Sequence, residues 1–220
     1  DYITEHTEIR SITAAADASN RAYTFPWTDE FLRRFAEQGG DVRGRVRFNS
    51  ASARPDYAGL ARQLLEPKPD AVLITAGALD TAFLAQQVHK THGDTAFIPC
   101  GWAMTEELID NGGEAAEGMI FATPFSLQSE NPEYVSFRED FISRFGREPD
   151  FAAINAYESL WTIVQALEGD SDGDIKRCLL RSEPYRGLQG SFRLDRFGDP
   201  ERDFVILRIR NGTYTQADPG

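Results

Sequence analysis

Apolar residues gather in five short runs within the first 122 positions, separated by polar segments. Each run is four to eight residues long and is bounded by turn residues, which is typical of buried strands. The runs cover 9–16, 44–48, 71–75, 96–99 and 118–122. The pattern therefore predicts five strands in this part of the chain.

Apolar residues at helical spacing lie between these runs. Phe31, Leu32 and Phe35 form one such set, and Gly39-Gly40 supplies its stop. Further helices are predicted over 57–64, 83–88 and 105–111. Alternation of strand and helix is typical of βαβ units, so we expect an α/β fold. Its doubly wound parallel sheet should have the strand order 2-1-3-4-5 and right-handed crossovers.

The pattern changes after residue 125 to longer helices followed by short strands. Asn131-Pro132 is a typical helix start, and Asn211-Gly212 between two apolar runs favours a type I′ hairpin. Helices are predicted over 132–145, 151–168 and 174–181, and strands over 190–197 and 204–210.

Charge and length exclude several classes of protein. The 220 residues carry 23 basic and 35 acidic side chains, a net charge of −12, which argues against a nucleic-acid partner. The longest apolar stretch, 71–79, is too short to cross a bilayer. Cys100 and Cys178 form neither a disulfide framework nor a complete metal site. Because the chain opens Asp1-Tyr2-Ile3 without a leader, we interpret it as a piece of a longer protein.

Several short motifs match the letters of catalytic or metal-binding sites, but the residues around them do not fit such sites. Residues 169–173 fit the letters GxSxG, but a helix precedes them where a nucleophile elbow needs a strand. Ile175 occupies the position where a calcium loop starting at Asp170 needs glycine. His89 and His92 lack a spaced partner to complete a zinc site and are more typical of a helix C-terminus. We expect no catalytic residue, no metal and no cofactor.

A doubly wound sheet binds its ligands outside the carboxyl ends of its strands, at the switch point. Here the loops concerned are 17–25, 76–80 and 100–105. They combine aromatic, small and hydrogen-bonding residues, which is typical of a small-molecule pocket. The alternative is that the aromatic residues only cover helix ends.

Several stretches follow one another in an order that resembles a known family. They are PDAVLI at 69–74, GWAMTEEL at 101–108, GEAAEGMIF at 113–121, GREP at 146–149 and GLQGSFRLD at 187–195. Their order and spacing resemble the type I periplasmic binding proteins of the leucine/isoleucine/valine-binding family. These are the extracellular ligand-binding receptors of ABC transporters.

The resemblance implies a clamp of two lobes, each a doubly wound sheet. Residues 1–124 and 203–220 would form the second lobe, and 125–202 a crossover segment with helices of the other lobe. The C-terminal hairpin would belong to that other lobe or bridge to it. The family's opening portion, which builds the first lobe, is not in this sequence. Implied partners are a small-molecule ligand, a membrane permease and the missing N-terminal lobe. The implied location is periplasmic or extracellular, and the opening portion could carry a lipid anchor.

The resemblance also supplies candidate ligand-binding residues. Tyr23 matches a pocket tyrosine, and 76–78 match the loop after the third strand. Gly101 falls where amino-acid binders place an acid that pairs with the ligand ammonium, and Trp102 beside it offers an aromatic face. Either Asp17, Asp80 or Glu106 replaces that acid, or the ligand is not a branched-chain amino acid. The candidate set is Tyr23, Thr24, Phe25, Ala76, Gly77, Ala78, Gly101 and Trp102.

The function implied is that of a non-enzymatic solute-binding protein of an ABC transporter. It would close on an amino acid or a related carboxylate or amide through a hinge between the lobes. The alternative is a ligand-sensing domain of a signalling receptor or regulator with the same fold. A third hypothesis, an enzyme with a flavodoxin-like sheet, has no set of residues to support it.

Overall fold

The computed structural model describes residues 1–52, 55–169, 174–180 and 183–217. Contacts divide the chain into two compact units, Asp1–Ala122 with Ile206–Gly220, and Thr123–Val205. The assignment of chain segments to the lobes of a clamp stays a prediction. Most of the GxSxG stretch, 170–173, and the end of the helix predicted over 174–181 lie outside the described residues.

The first unit is built on a parallel sheet. Its strands are β1 (Ser11–Asp17), β2 (Asp41–Phe48), β3 (Ala71–Thr75) and β4 (Ala96–Pro99). The order is β2-β1-β3-β4, with every pairing parallel, so the predicted order 2-1-3-4 is confirmed.

The fifth strand departs from the predicted order. β5 (Ile120–Thr123) belongs to a separate sheet of order β10-β9-β5, in which β9 is Val205–Arg210 and β10 is Thr213–Gln216. The amide of Gly118 donates to the Ile209 carbonyl over 2.9 Å, and the Ile209 amide donates to the Met119 carbonyl over 3.2 Å. The prediction that the fifth strand extends the parallel sheet is therefore wrong, because its backbone groups bond the returning strand β9.

Helices cover both faces of the parallel sheet. They are α1 (Tyr2–His6), α2 (Arg21–Glu37), α3 (Tyr57–Leu65), α4 (Ala78–Thr91) and α5 (Glu106–Gly112). Phe35 of α2 packs with Ile12 and Leu73 in the buried core. Thr13 points to the opposite face, where its hydroxyl donates to the Leu64 carbonyl of α3 over 3.1 Å. Since side chains alternate along a strand, the sheet is doubly wound.

The second unit contains the two long helices that the sequence predicts. Its elements are α6 (Pro132–Phe145), α7 (Phe151–Gly169), α8 (Ile175–Leu179), β6 (Tyr185–Gly187), β7 (Gly190–Leu194) and β8 (Pro200–Glu201). The Asn131 side chain accepts from the Glu133 amide over 3.0 Å, which caps α6. Gly146 ends that helix with φ of +70°.

The hairpin β9–β10 confirms the turn predicted at Asn211-Gly212. The two strands pair antiparallel, and both turn residues have positive φ, +52° and +67°. Positive φ at both central positions defines a type I′ turn, for which asparagine and glycine are the preferred residues.

A buried ion pair joins α7 to Arg202, the residue that follows β8. Glu158 Oε2 lies 2.8 Å from Arg202 Nη1, with side-chain exposures of only 7% and 15%. Glu158 Oε1 accepts from the Leu188 amide over 2.7 Å. The Arg202 guanidinium also lies over the Phe192 ring, 4.1 Å from its centroid. Both carboxylate oxygens are therefore satisfied inside the unit.

We expect Glu158→Ala to lower the free energy of unfolding by about 3–5 kcal/mol, because Arg202 would stay buried without its partner. Urea titration followed by circular dichroism measures the loss. Glu148→Ala is the matched control, since Glu148 pairs with Arg138 on the exposed surface and such pairs contribute about 1 kcal/mol or less. Equal losses of unfolding free energy in the two variants would contradict the role of Glu158 as the partner of a buried Arg202.

Candidate ligand-binding site

The candidate site lies at one edge of the first unit. Strands β1, β3 and β4 end at Asp17, Thr75 and Pro99. Because the three strands are parallel, the segments that follow them meet at the same edge. Two of these segments are short 3₁₀ helices, Ala18–Asn20 and Gly101–Ala103.

Tyr23 and Trp102 meet at this edge. Their ring centroids are 6.2 Å apart at an interplanar angle of 87°, an edge-to-face pair. Tyr23 is 39% exposed and Trp102 is half-buried. The Tyr23 side chain lies near the buried Cys100 thiol. Burial raises the pKa of both groups, so the wall that they form with Trp102 is uncharged at neutral pH.

Glycines leave space beside the Trp102 ring. A Cβ atom added to Gly77 would lie 3.7 Å from Trp102 Cζ2, in ordinary van der Waals contact. A Cβ atom added to Gly101 would meet no atom within 4 Å. Ala76 and Ala78, on either side of Gly77, are buried. This loop therefore presents backbone rather than side chains to the space beside Trp102.

Thr24 and Phe25 point elsewhere. Both belong to the first turns of α2, which begins at Arg21. The Thr24 hydroxyl is buried and donates to the Asp17 carbonyl over 2.6 Å. The Phe25 ring lies 4.5 Å from the Arg47 guanidinium of β2. Since two residues along a helix are about 200° apart, Phe25 and Tyr23 face different neighbours. Neither Thr24 nor Phe25 joins the Tyr23–Trp102 pair.

The carboxylate of Asp17 is fully occupied. Oδ1 accepts from the amides of Ser19 and Ser50 over 2.9 and 3.0 Å. Oδ2 accepts from their hydroxyls over 2.5 and 2.6 Å. Burial opposes ionisation, but these hydrogen bonds hold the pKa of the carboxyl below its ordinary value. Asp17 therefore ties the end of β1 to the end of β2 and has no free lone pair directed at a ligand.

Asp80 and Glu106, the other two acids that the sequence offered as partners of a ligand ammonium, have different surroundings. Asp80 Oδ1 accepts from the Tyr57 hydroxyl over 2.5 Å, and burial together with Asp80 raises the pKa of Tyr57. Glu106 is exposed in the first turn of α5. The links made by Ser50 and Tyr57 were missed from the sequence, although Ser50 follows β2 at the edge where ligands were expected.

The side chains that could ligate a metal lie apart from one another in the part of the chain that the structure describes. Within it, no group of three or more His, Cys, Asp or Glu side chains is placed to hold an ion. His92 instead contacts the Thr95 hydroxyl, with Nδ1 3.1 Å from Oγ1. Among the described helices, none is long and apolar enough to span a bilayer.

A doubly wound sheet with an aromatic-lined carboxyl edge, followed by long helices and a returning hairpin, defines the class of type I periplasmic-binding-protein lobes. The profile of the family described as periplasmic binding protein matches residues 2–213. The chain therefore belongs to the periplasmic binding protein family.

Solved structures share this fold at low sequence identity. A leucine binding protein, LivK, from Thermotoga maritima has a TM-score of 0.88 and 23% identity over 98% of this chain and 62% of its own. The substrate binding protein LivJ from Streptococcus pneumoniae, in complex with isoleucine, has a TM-score of 0.80 and 18% identity over 98% of this chain and 63% of its own. A solute binding protein from R. palustris, in complex with benzoate, has a TM-score of 0.79 and 13% identity over 94% of this chain and 57% of its own. The chain thus spans about three fifths of the length of these structures. No curated protein matches it.

We expect Asp17→Asn to lower the free energy of unfolding by about 1–3 kcal/mol at pH 7, because hydrogen bonds to a charged acceptor are lost. A depressed carboxyl pKa stabilises the fold above the pKa of the unfolded chain, about 3.9, and this contribution disappears as pH falls through the folded value. The difference in the free energy of unfolding between the variant and the parent should therefore become smaller below about pH 4.

Urea titrations between pH 7 and pH 3 measure this gap. Asp110→Asn is the control, since Asp110 is exposed and its side chain makes no hydrogen bond or ion pair among the described residues. It should change stability by no more than about 0.5 kcal/mol. A gap of constant size down to pH 3 would contradict the role given to Asp17.

Proposed function

We propose that the chain is the ligand-binding part of a solute-binding protein of an ABC transporter, located in the periplasm or outside the cell. The convergence of Tyr23, Gly77 and Trp102 at the carboxyl edge of the sheet carries this proposal. Membership of the family supports it, as does the resemblance to solute-binding proteins rather than to enzymes.

The site favours a small organic carboxylate. Tyr23 and Trp102 offer an uncharged aromatic wall. Gly77 is the N-cap residue of α4, and the first backbone amides of that helix have no partner within it. Backbone amides at a helix start are suited to an anionic group. Two of the structural relatives were solved in complex with isoleucine and with benzoate, and both of these molecules carry a carboxylate.

The remaining part of the clamp is the proposed partner of the second unit. Helices α6 and α7 leave apolar side chains uncovered, including Phe145, Tyr157 and Leu160, the last 64% exposed. In our proposal, residues 1–124 and 203–220 form one lobe, and the helices within 125–202 pack on the other. That lobe would be supplied by sequence ahead of this chain, which could also carry a lipid anchor. Ligand that bridges both lobes would stabilise the closed state, which docks on a membrane permease.

We expect the double variant Tyr23→Ala with Trp102→Ala to weaken ligand binding at least about tenfold, since the aromatic wall contributes most of the apolar contact. Isothermal titration with a panel of amino acids and aromatic carboxylates identifies the ligand and measures its affinity. Phe197→Ala is the control, because Phe197 is an aromatic residue that is 74% exposed and lies in a turn of the second unit. Unchanged affinity in the double variant would reject the site.

A further inference from the structure

Helix α7 buries polar side chains and leaves apolar ones exposed. Glu158, Thr162 and Gln165 are at most 7% exposed, and their spacing places them on one face of the helix. Leu160 and Leu167 lie about 200° further around the helix and are 64% and 45% exposed. Burial of a polar side chain is unfavourable unless hydrogen bonds replace those that it made to water. The buried polar face of α7 therefore depends on the groups that it bonds.

The partners of this face are backbone groups of β6 and of the turn after it. The Gln165 side chain donates to the Arg186 carbonyl and accepts from the Arg186 amide, each over 3.0 Å. Glu158 Oε1 accepts from the Leu188 amide over 2.7 Å. Gly187 permits this close approach, since a Cβ atom there would lie 2.7 Å from Glu158 Oε1. Because a neighbouring antiparallel strand also bonds one residue in both directions, α7 takes the place of a strand beside β6.

The position that α7 occupies is a sheet edge. The order of the small sheet is β6-β7-β8, so β6 is an outer strand. Arg186 lies opposite Ser191 of β7 in an antiparallel pair. Along such a strand, residues alternate between bonding the partner strand and directing their backbone groups outward, and Arg186 directs both of its groups to Gln165. An outer strand without a cover is a template for pairing with another chain.

We propose that Gln165 prevents the β6 edge from pairing with a second copy of the chain. Its amide carries a donor and an acceptor, so it satisfies both backbone groups of Arg186 and leaves neither for an incoming strand. Without this side chain, the two groups would be buried without partners, a cost that is relieved when α7 detaches and two copies pair. The latent interaction surface is the outward edge of Tyr185–Gly187, and the same edge of the second copy is its partner.

Two glutamine variants separate exposure of the edge from loss of stability. Gln165→Leu removes both hydrogen bonds and keeps a side chain of similar size. Gln189→Leu is the matched control, because Gln189 bonds the amide and the carbonyl of Ser126 over 2.6 and 2.7 Å. Ser126 lies outside the strands, so the control loses bonds of the same kind without opening a sheet edge.

Amide hydrogen exchange and sedimentation velocity of the full chain are measured from low to high protein concentration. At low concentration, we expect the Arg186 amide of Gln165→Leu to exchange at least about tenfold faster than that of the parent. Its exchange should slow as concentration rises, and the mean mass of this variant should rise above the masses of the parent and of Gln189→Leu. Adding Arg186→Pro removes the amide that pairing needs and should return the mass to that of the parent.

A mass of Gln165→Leu equal to that of the parent at every concentration would overturn the inference. Equal association of Gln189→Leu would do the same, as would association that persists after Arg186→Pro is added. If Gln165→Leu does not fold, Gln165→Glu decides by the same two measurements, because it keeps the acceptor for the Arg186 amide and loses only the donor to the carbonyl.

Discussion

The parallel pairing of β1 with β3, and of β3 with β4, is the constraint on which the candidate site depends. The register places Ala16 beside Thr75 and Ile74 beside Pro99, so all three strands end at one edge. The amide of Cys100 continues the pairing by donating to the Ile74 carbonyl over 2.9 Å. Residues separated by almost 80 positions in the sequence, Tyr23 and Trp102, come into ring contact for this reason.

Much of this architecture could be predicted because it depends on local patterns. Short apolar runs and helical spacing located β1 to β4 and the helices α3, α4, α6 and α7. The pairing of β5 could not be found in this way, since its partner strand lies almost 90 residues further along. The early start of α2 was also missed, because its first turns lack apolar periodicity and Pro26 within them reads as a helix boundary.

The candidate site divides in the same way. The rule for carboxyl ends of parallel strands indicated Tyr23, Gly77 and Trp102, and the fold places them together. The individual directions of side chains depend on three-dimensional neighbours. Asp17 was a candidate acid from sequence, but Ser50, 33 residues away, occupies its carboxylate. Phe25 follows Tyr23 by two residues and faces β2 instead.

Mapping of amide chemical shifts by two-dimensional NMR during titration with the panel of amino acids and aromatic carboxylates tests the central claim most directly. If the carboxyl edge of the first unit holds the solute, the largest perturbations fall in the segments after β1, β3 and β4, at residues 17–25, 76–78 and 100–103. Perturbations confined to helices α6 and α7, or spread evenly over the surface, would contradict the account.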